Sequence, residues 1–309
     1  MFLDFYKLHH QPFGVTPDPH FLYLSQTHRD ALACLRYAIE TDLGFSAILG
    51  EPGLGKTTLL FRILENFRAS SHTAFVFETQ CNSVGLLRYL LKELGAPVED
   101  KDAAVLNERL QDVLLKAAAE GRRVILILDE AQNLDLQVLE TVRLLSNLES
   151  PKAKLVHIIL SGQPRLAEVL AHPAMEQLRQ RIYSEILLEP MMPEETERYI
   201  THRLEVAGYH GEPLFTAAAV DAIAVQSGGV PRKINRICFN ALSFGYLLGK
   251  SHIDTKVVEE SATELLPHLL ALRQENWGQT AEAGSEGTAS QENVHELAPE
   301  MLAATGKTP

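Results

Sequence analysis

The stretch Gly50-Glu51-Pro52-Gly53-Leu54-Gly55-Lys56-Thr57 fits G-x-x-x-x-G-K-[ST], a spacing whose chemistry is phosphate binding. Its glycines let the backbone curl until successive N–H groups converge on phosphate oxygens. Lys56 can reach the β- and γ-phosphates of ATP, and the Thr57 hydroxyl can ligate Mg2+. A helix opening here through Thr58 adds its positive end. With glycine near 7% of residues, chance makes such a pattern in roughly one chain in a hundred of this size. A fortuitous glycine turn is the alternative, but it would need neither the apolar run before this segment nor the helical pattern after it.

Val124-Ile125-Leu126-Ile127-Leu128 leads straight into Asp129 and Glu130. A buried strand ending in an acid places Asp129 near the magnesium, usually through water. Glu130, one step further out, stands where a base could polarise an attacking water. An apolar run before two acids is weak by itself, since strand ends often carry acids and Asp129 could simply cap one. About seventy residues after a phosphate loop, the pair becomes specific for nucleotide hydrolysis.

These groups need a scaffold, and the apolar periodicity supplies one. Strand-like runs at Phe45–Leu49, Thr73–Phe77, Val124–Leu128, Leu155–Leu160 and Ile182–Leu188 alternate with helical patterns. The helices are expected at His28–Thr41, Lys56–Phe67, Val84–Leu94, Ala103–Ala119 and Leu134–Asn147. Five short Val/Ile/Leu runs between helices predict an α/β fold with a parallel sheet covered on both faces. Residues 1–24, rich in aromatics and prolines, predict an extended segment pinned to the body by its rings. A nucleotide-binding domain over 25–190 follows. From 191 to 274 the pattern is helical only, with Thr216 and Asp254 as N-caps and Pro231 at a first helical position. Residues 275–309 are Gly-, Ser-, Glu-, Gln- and Ala-rich and are expected to be disordered.

The 309 residues carry 28 basic and 40 acidic side chains, a net charge of −12. Nucleic-acid backbone as the main partner is disfavoured by that balance, although a local basic patch is not excluded by it. Cys34, Cys81 and Cys238 are widely spaced, which fits neither a disulfide framework nor a zinc site and points to a reducing cytosol. The twelve histidines form no H-E-x-x-H, so no metal besides Mg2+ is expected. No run approaches the roughly 18–20 apolar residues that span a bilayer. A cytoplasmic protein is the expectation.

Residues outside the two nucleotide motifs carry a more specific likeness. Phe5-Tyr-Lys-Leu8, Pro12-Phe13, Pro17-Asp-Pro19, Leu22-Tyr-Leu-Ser25, Asp129-Glu-Ala-Gln132, Gly162-Gln-Pro164, Leu178-Arg-Gln-Arg-Ile182 and Gly229-Val-Pro-Arg-Lys-Ile-Asn235 resemble segments of one family. With them, residues 1–270 resemble an AAA+ ATPase, and specifically the ATPase part of the general secretion pathway protein A family. The resemblance implies an AAA+ P-loop NTPase fold: a five-stranded parallel sheet flanked by helices, plus a small helical lid. It also implies ATP hydrolysis to ADP and phosphate in a homo-oligomeric ring or arc. By the same resemblance Gln163 senses the γ-phosphate, with Ser161 as the alternative. Arg181, or else Arg179, is the finger that reaches a neighbouring subunit's nucleotide, and Arg232 is the second sensor on the lid.

The family's membrane-spanning and peptidoglycan-binding parts have no counterpart here, so direct cell-wall remodelling is not expected. A shorter relative, the ATPase associated with mannose-sensitive pilus assembly, is similar in lacking the wall-binding part. The expected role is an assembly motor or switch for secretion or pilus machinery, held peripherally at the inner membrane through a partner. The competing expectation is a DNA-associated AAA+ ATPase of transposition or replication-initiation type.

Overall fold

A computed structural model describes residues 2–14, 18–77, 81–149 and 154–261, which fall in one compact unit. The chain opens with a one-turn helix, α1 (Phe2–Phe5), and a 3-10 turn at Pro19–Phe21. α2 (Gln26–Glu40) then starts on its N-cap Ser25, whose hydroxyl accepts the His28 N–H. The segment expected to be extended therefore contains two short helical turns. Its prolines forbid a long helix, but Pro19 sits at the start of a turn, where a missing N–H is harmless. The ring anchoring is as expected for Tyr6, Phe13 and Phe21, which are buried, whereas Phe5 is 41% exposed.

The central layer follows as β1 (Phe45–Leu49), α3 (Lys56–Phe67), β2 (Ser71–Val76), α4 (Ser83–Glu93), α5 (Ala103–Ala119) and β3 (Arg123–Leu128). After them come α6 (Leu136–Leu145), β4 (His157–Gly162), α7 (Arg165–Leu170), α8 (Glu176–Arg179) and β5 (Ser184–Leu187). All five strands are parallel, in the order β2-β3-β4-β1-β5. Alternation along the strands feeds both faces. Ala47, Leu126, Leu128, Ile158 and Leu160 pack with Leu86, Leu110 and Leu139 of α4, α5 and α6. Ile48, Ile125, Ile127 and Ile159 pack with Leu35 of α2 and Leu59 and Ile63 of α3. Each such fully buried aliphatic side chain contributes roughly 1.5–3 kcal/mol.

Several boundaries differ from the expectation, and those of β4 and α6 bear on the site. β4 begins at His157, where pairing with Ile125 starts, and runs on to Gly162; Leu155 and Val156 are buried but lie ahead of the ladder. Leu134 lies ahead of α6, because a 3-10 turn at Ala131–Asn133 intervenes.

Beyond β5 the described residues are helical: α9 (Pro193–Val206), α10 (Ala217–Ser227), α11 (Pro231–Leu247) and a helical stretch at 255–261. Thr216 caps α10 through the Ala219 N–H, Pro231 is at the first turn of α11, and Asp254 accepts the Val257 N–H. Gly229, at φ +71°, brings the α10–α11 turn against Met191, whose carbonyl oxygen would lie 2.0 Å from any Cβ there. The expected disordered tail at 275–309 lies outside the described residues.

Candidate nucleotide-binding site

Because β4 lies between β1 and β3, the carboxyl ends of these three strands stand side by side. The glycine loop follows β1, the acids follow β3, and Ser161, Gly162 and Gln163 end β4. One edge of the sheet thus gathers most of the candidate residues.

Gly53 and Gly55 adopt φ of +89° and +95°, which other residues rarely tolerate. A Cβ on Gly53 would also come within 2.7 Å of the Arg232 Cβ, and the Arg232 N–H donates to the Gly53 carbonyl at 3.2 Å. The loop and the start of α11 are therefore in direct contact. Lys56 is buried; its ammonium donates to the carbonyls of Gly50 at 2.6 Å and Glu51 at 3.2 Å. Burial lowers its pKa, an effect opposed by Glu130, Asp129 and Glu51 and reinforced by Arg232.

Asp129, 4% exposed, is the hub. Its Oδ2 accepts the Thr57 hydroxyl at 2.7 Å, and its Oδ1 accepts the Ser161 hydroxyl at 2.7 Å and the Glu130 N–H at 3.0 Å. Glu130 takes the left-handed conformation at φ +51°, turning the chain so that its side chain reaches the cleft. Its Oε2 accepts from Gln132 Nε2 at 2.6 Å and from Gln163 Nε2 at 3.3 Å. The two residues considered for the first sensor thus divide the acids between them: Ser161 holds Asp129 and Gln163 holds Glu130.

The cleft is lined by residues 52–58, Glu130 and Arg232, together with the amino-terminal segment around Asp18–Tyr23 and Tyr199, Arg203 and Asn235 of the later helices. Arg203 closes its far wall. Its guanidinium lies 4.8 Å over the Phe21 ring, donates to Tyr199 Oη at 3.2 Å and bonds the Pro12 carbonyl. Tyr199 in turn donates to Asn235 Oδ1 at 2.7 Å.

His28 was not among the expected site residues. It is buried, and its Nε2 lies 2.9 Å from the Leu54 carbonyl in the middle of the phosphate loop. A carbonyl only accepts, so Nε2 carries the proton and Nδ1 accepts the Ser25 hydroxyl at 2.6 Å. Burial lowers its pKa and favours this neutral form. The available signal was Ser25 three residues ahead of His28, an N-cap spacing whose side chains share one helical turn.

Arg181 and Arg179 are not brought to this cleft. Both precede β5, which runs parallel to β1, so they lie toward the amino ends of the strands. Arg181 is half-buried, with Nη1 3.5 Å from the Ser146 hydroxyl, and Arg179 is exposed at the end of α8.

The donor set fits a hard divalent ion. The Thr57 hydroxyl and Asp129 carboxylate offer oxygen donors in contact, and the glycine loop leaves a cradle that side chains would fill. A parallel sheet in this strand order, with a phosphate loop after β1 and paired acids after β3, defines a P-loop NTPase of the AAA+ class.

Comparisons with known proteins agree. Residues 39–170 match the family described as an AAA domain. The chain is 37% identical over 255 residues to general secretion pathway protein A of Aeromonas hydrophila, covering 82% of this chain and 46% of that protein. It therefore spans about half the length of that relative. An uncharacterised HTH-type transcriptional regulator of Methanocaldococcus jannaschii is 31% identical over 144 residues, 43% of this chain and 35% of the regulator. The chain belongs to the AAA+ ATPases, of the general secretion pathway protein A type.

Solved structures agree on the fold. The Aeropyrum pernix ORC2 protein aligns with TM-score 0.62 at 18% identity, over 79% of this chain and 68% of its own. Cdc6p of Pyrobaculum aerophilum gives 0.61 at 17%, over 81% and 71%. Among the described residues, no helix is long and apolar enough to cross a membrane.

Proposed function

We propose that this protein binds ATP with Mg2+ in the cleft over residues 50–58 and hydrolyses it to ADP and phosphate, as an assembly motor or switch. The observation that carries the reading is the convergence of Lys56, Thr57, Asp129 and Glu130 on one cleft from two strand ends. Mg2+ would be held by Thr57 and, through water, by Asp129, and would neutralise charge on the phosphate oxygens. Lys56 balances the phosphates, Glu130 takes the proton of the attacking water, and Gln163 with Ser161 orients the reacting end. Arg232 reaches the phosphates from the start of α11, in a helical lid that begins near residue 191.

The Arg181 position favours an oligomer. An arginine at the amino ends of the strands, away from its own cleft, is available to a neighbour's phosphates, a contribution of roughly 10³-fold or more in comparable sites. A secretion or pilus partner at the inner membrane, with the protein itself in the cytoplasm, is supported by the 37% identity to a secretion pathway protein. The second reading, a DNA-associated ATPase, draws on the HTH-type regulator, but the net charge of −12 opposes it. Low-salt filter binding to duplex DNA with ATP separates the two.

The shared-site reading is tested by measuring ATP turnover per subunit across a dilution series. Turnover is expected to rise with concentration, and Arg181→Ala to keep ATP binding while losing that rise. Flat specific activity in a protein that sediments only as a monomer would return Arg181 to a surface charge.

A further inference from the structure

We propose that Gln132 is a positioning residue for hydrolysis, holding the Glu130 carboxylate in the orientation that leaves one oxygen open to water. The inference rests on the reading of Glu130 as the base and adds the group that aims it. Gln132 is 8% exposed, and both ends of its amide are used. Nε2 donates to Glu130 Oε2 at 2.6 Å, and Oε1 accepts the Gln163 N–H at 3.1 Å. The second donor on Oε2, Gln163 Nε2, is longer at 3.3 Å. Both amides thus fall on one oxygen of Glu130, while Oε1 makes no hydrogen bond among the described residues. Glu130 itself lines the cleft.

Local geometry is built around this contact. The backbone of Glu130 is in the left-handed region, and its N–H is tied to Asp129 Oδ1 at 3.0 Å. Gly162 faces the glutamine: a Cβ there would lie 2.7 Å from Gln132 Oε1 and 2.8 Å from Leu166 Cδ2. A glutamate side chain has three rotatable torsions, and a base works only within hydrogen-bond reach of its proton and correctly oriented. Two anchors hold it, and Gln163 is the one the proposed reading also asks to meet the γ-phosphate. When Gln163 turns to that group, Gln132 is the donor that remains on Glu130.

A purely structural role would be to anchor the Gln163 backbone through Oε1. Gln132→Glu separates the two roles, because it keeps an acceptor for the Gln163 N–H and removes the donor to Glu130. Titration with a fluorescent ATP analogue is expected to show affinity within about twofold of wild type, while kcat falls by about tenfold or more. In a Glu130→Gln background, adding Gln132→Glu is expected to change residual turnover by less than twofold, since a residue acting only through Glu130 has nothing left to aim. If like-charge repulsion unfolds the single variant, Gln132→Ala is read through the cycle alone: a loss of kcat that vanishes in the Glu130→Gln background acts through Glu130, and one that persists there acts through the Gln163 backbone. Wild-type kcat in a folded Gln132→Glu protein would overturn the assignment, as would a full additional loss in the Glu130→Gln background. A wild-type protein that binds ATP without hydrolysing it would overturn the hydrolysis reading, and the assignment with it.

Discussion

The sheet buries polar side chains at both ends of its strands, with opposite consequences. At the carboxyl ends Lys56, Asp129 and Ser161 are charged or bonded to charge, and Lys56 and Thr57, which bonds Asp129, line an open cleft. At the amino ends Ser46 of β1, His157 of β4 and Ser184 of β5 form a neutral chain. Ser184 donates to the Ser46 hydroxyl at 2.9 Å, and Ser46 lies 3.3 Å from His157 Nε2. Burial pushes the His157 pKa down to about 4, so the ring is uncharged at neutral pH. A Ser–His pair in a sequence suggests nucleophilic chemistry, yet here it is sealed in the sheet. Buried polarity alone does not mark a site. What distinguishes the two ends is convergence on open space, with opposite charges arranged across it.

The contrast is broken most severely by removing the base. Glu130→Gln keeps the shape and the amide contacts but cannot take a proton, so kcat is expected to fall by roughly 10²–10⁴ with ATP affinity retained. Near-normal turnover, measured by phosphate release, would make Glu130 a bystander and put the water elsewhere.

Lys56→Ala acts on binding. Hydrogen bonds to charged groups contribute roughly 1.5–3 kcal/mol, so a 10- to 100-fold rise in the Kd for ATP is expected, read by calorimetry. The fold should survive, because among the described residues the ammonium bonds only the Gly50 and Glu51 carbonyls of its own loop. Unchanged affinity in the folded variant would sink the phosphate-loop assignment.

What the sequence made legible divides along the same physical line. The spacing of Gly50–Thr57 and the apolar run into Asp129-Glu130 are local, and the structure brings Thr57 and Asp129 into contact at the carboxyl ends of the strands. The lid caps Thr216, Pro231 and Asp254 are also local, and each is found in place. For the first sensor the sequence offers Gln163 with Ser161 as the alternative, and does not show which side chain meets which acid, since that depends on the register of β3 against β4. His28 was missed for a similar reason: its partner, Leu54, is 26 residues away and contributes only a backbone carbonyl. Periodicity could not place the start of β4 either, because Leu155 and Val156 are as buried as the strand they precede.

The smallest expected effect concerns the amino-terminal end of the sheet, and it tests whether that end is structural only. His157 is 4% exposed, and its Nδ1 has no hydrogen-bond partner among the described residues, so protonation on acidification places an uncompensated charge in the core. Its folded pKa of about 4 lies below the ordinary imidazole value of 6.5, which fixes the sign. The group's stabilising contribution is fully present above pH 6.5 and is lost as the pH falls through 4. A shift of this size corresponds to about 3 kcal/mol across that window. His157→Leu has a similar volume and nothing to protonate, so its urea midpoint should fall less between pH 7 and pH 4 than that of the wild type. His28 and His202, also shifted down by burial, contribute to acid sensitivity in both proteins and cancel in the difference. ATP affinity at pH 7 should be unchanged, because no atom of His157 borders the cleft. Equal acid sensitivity in the two proteins would show that His157 is not the group being charged. A loss of ATP affinity in His157→Leu would show instead that the two ends of the sheet are energetically coupled.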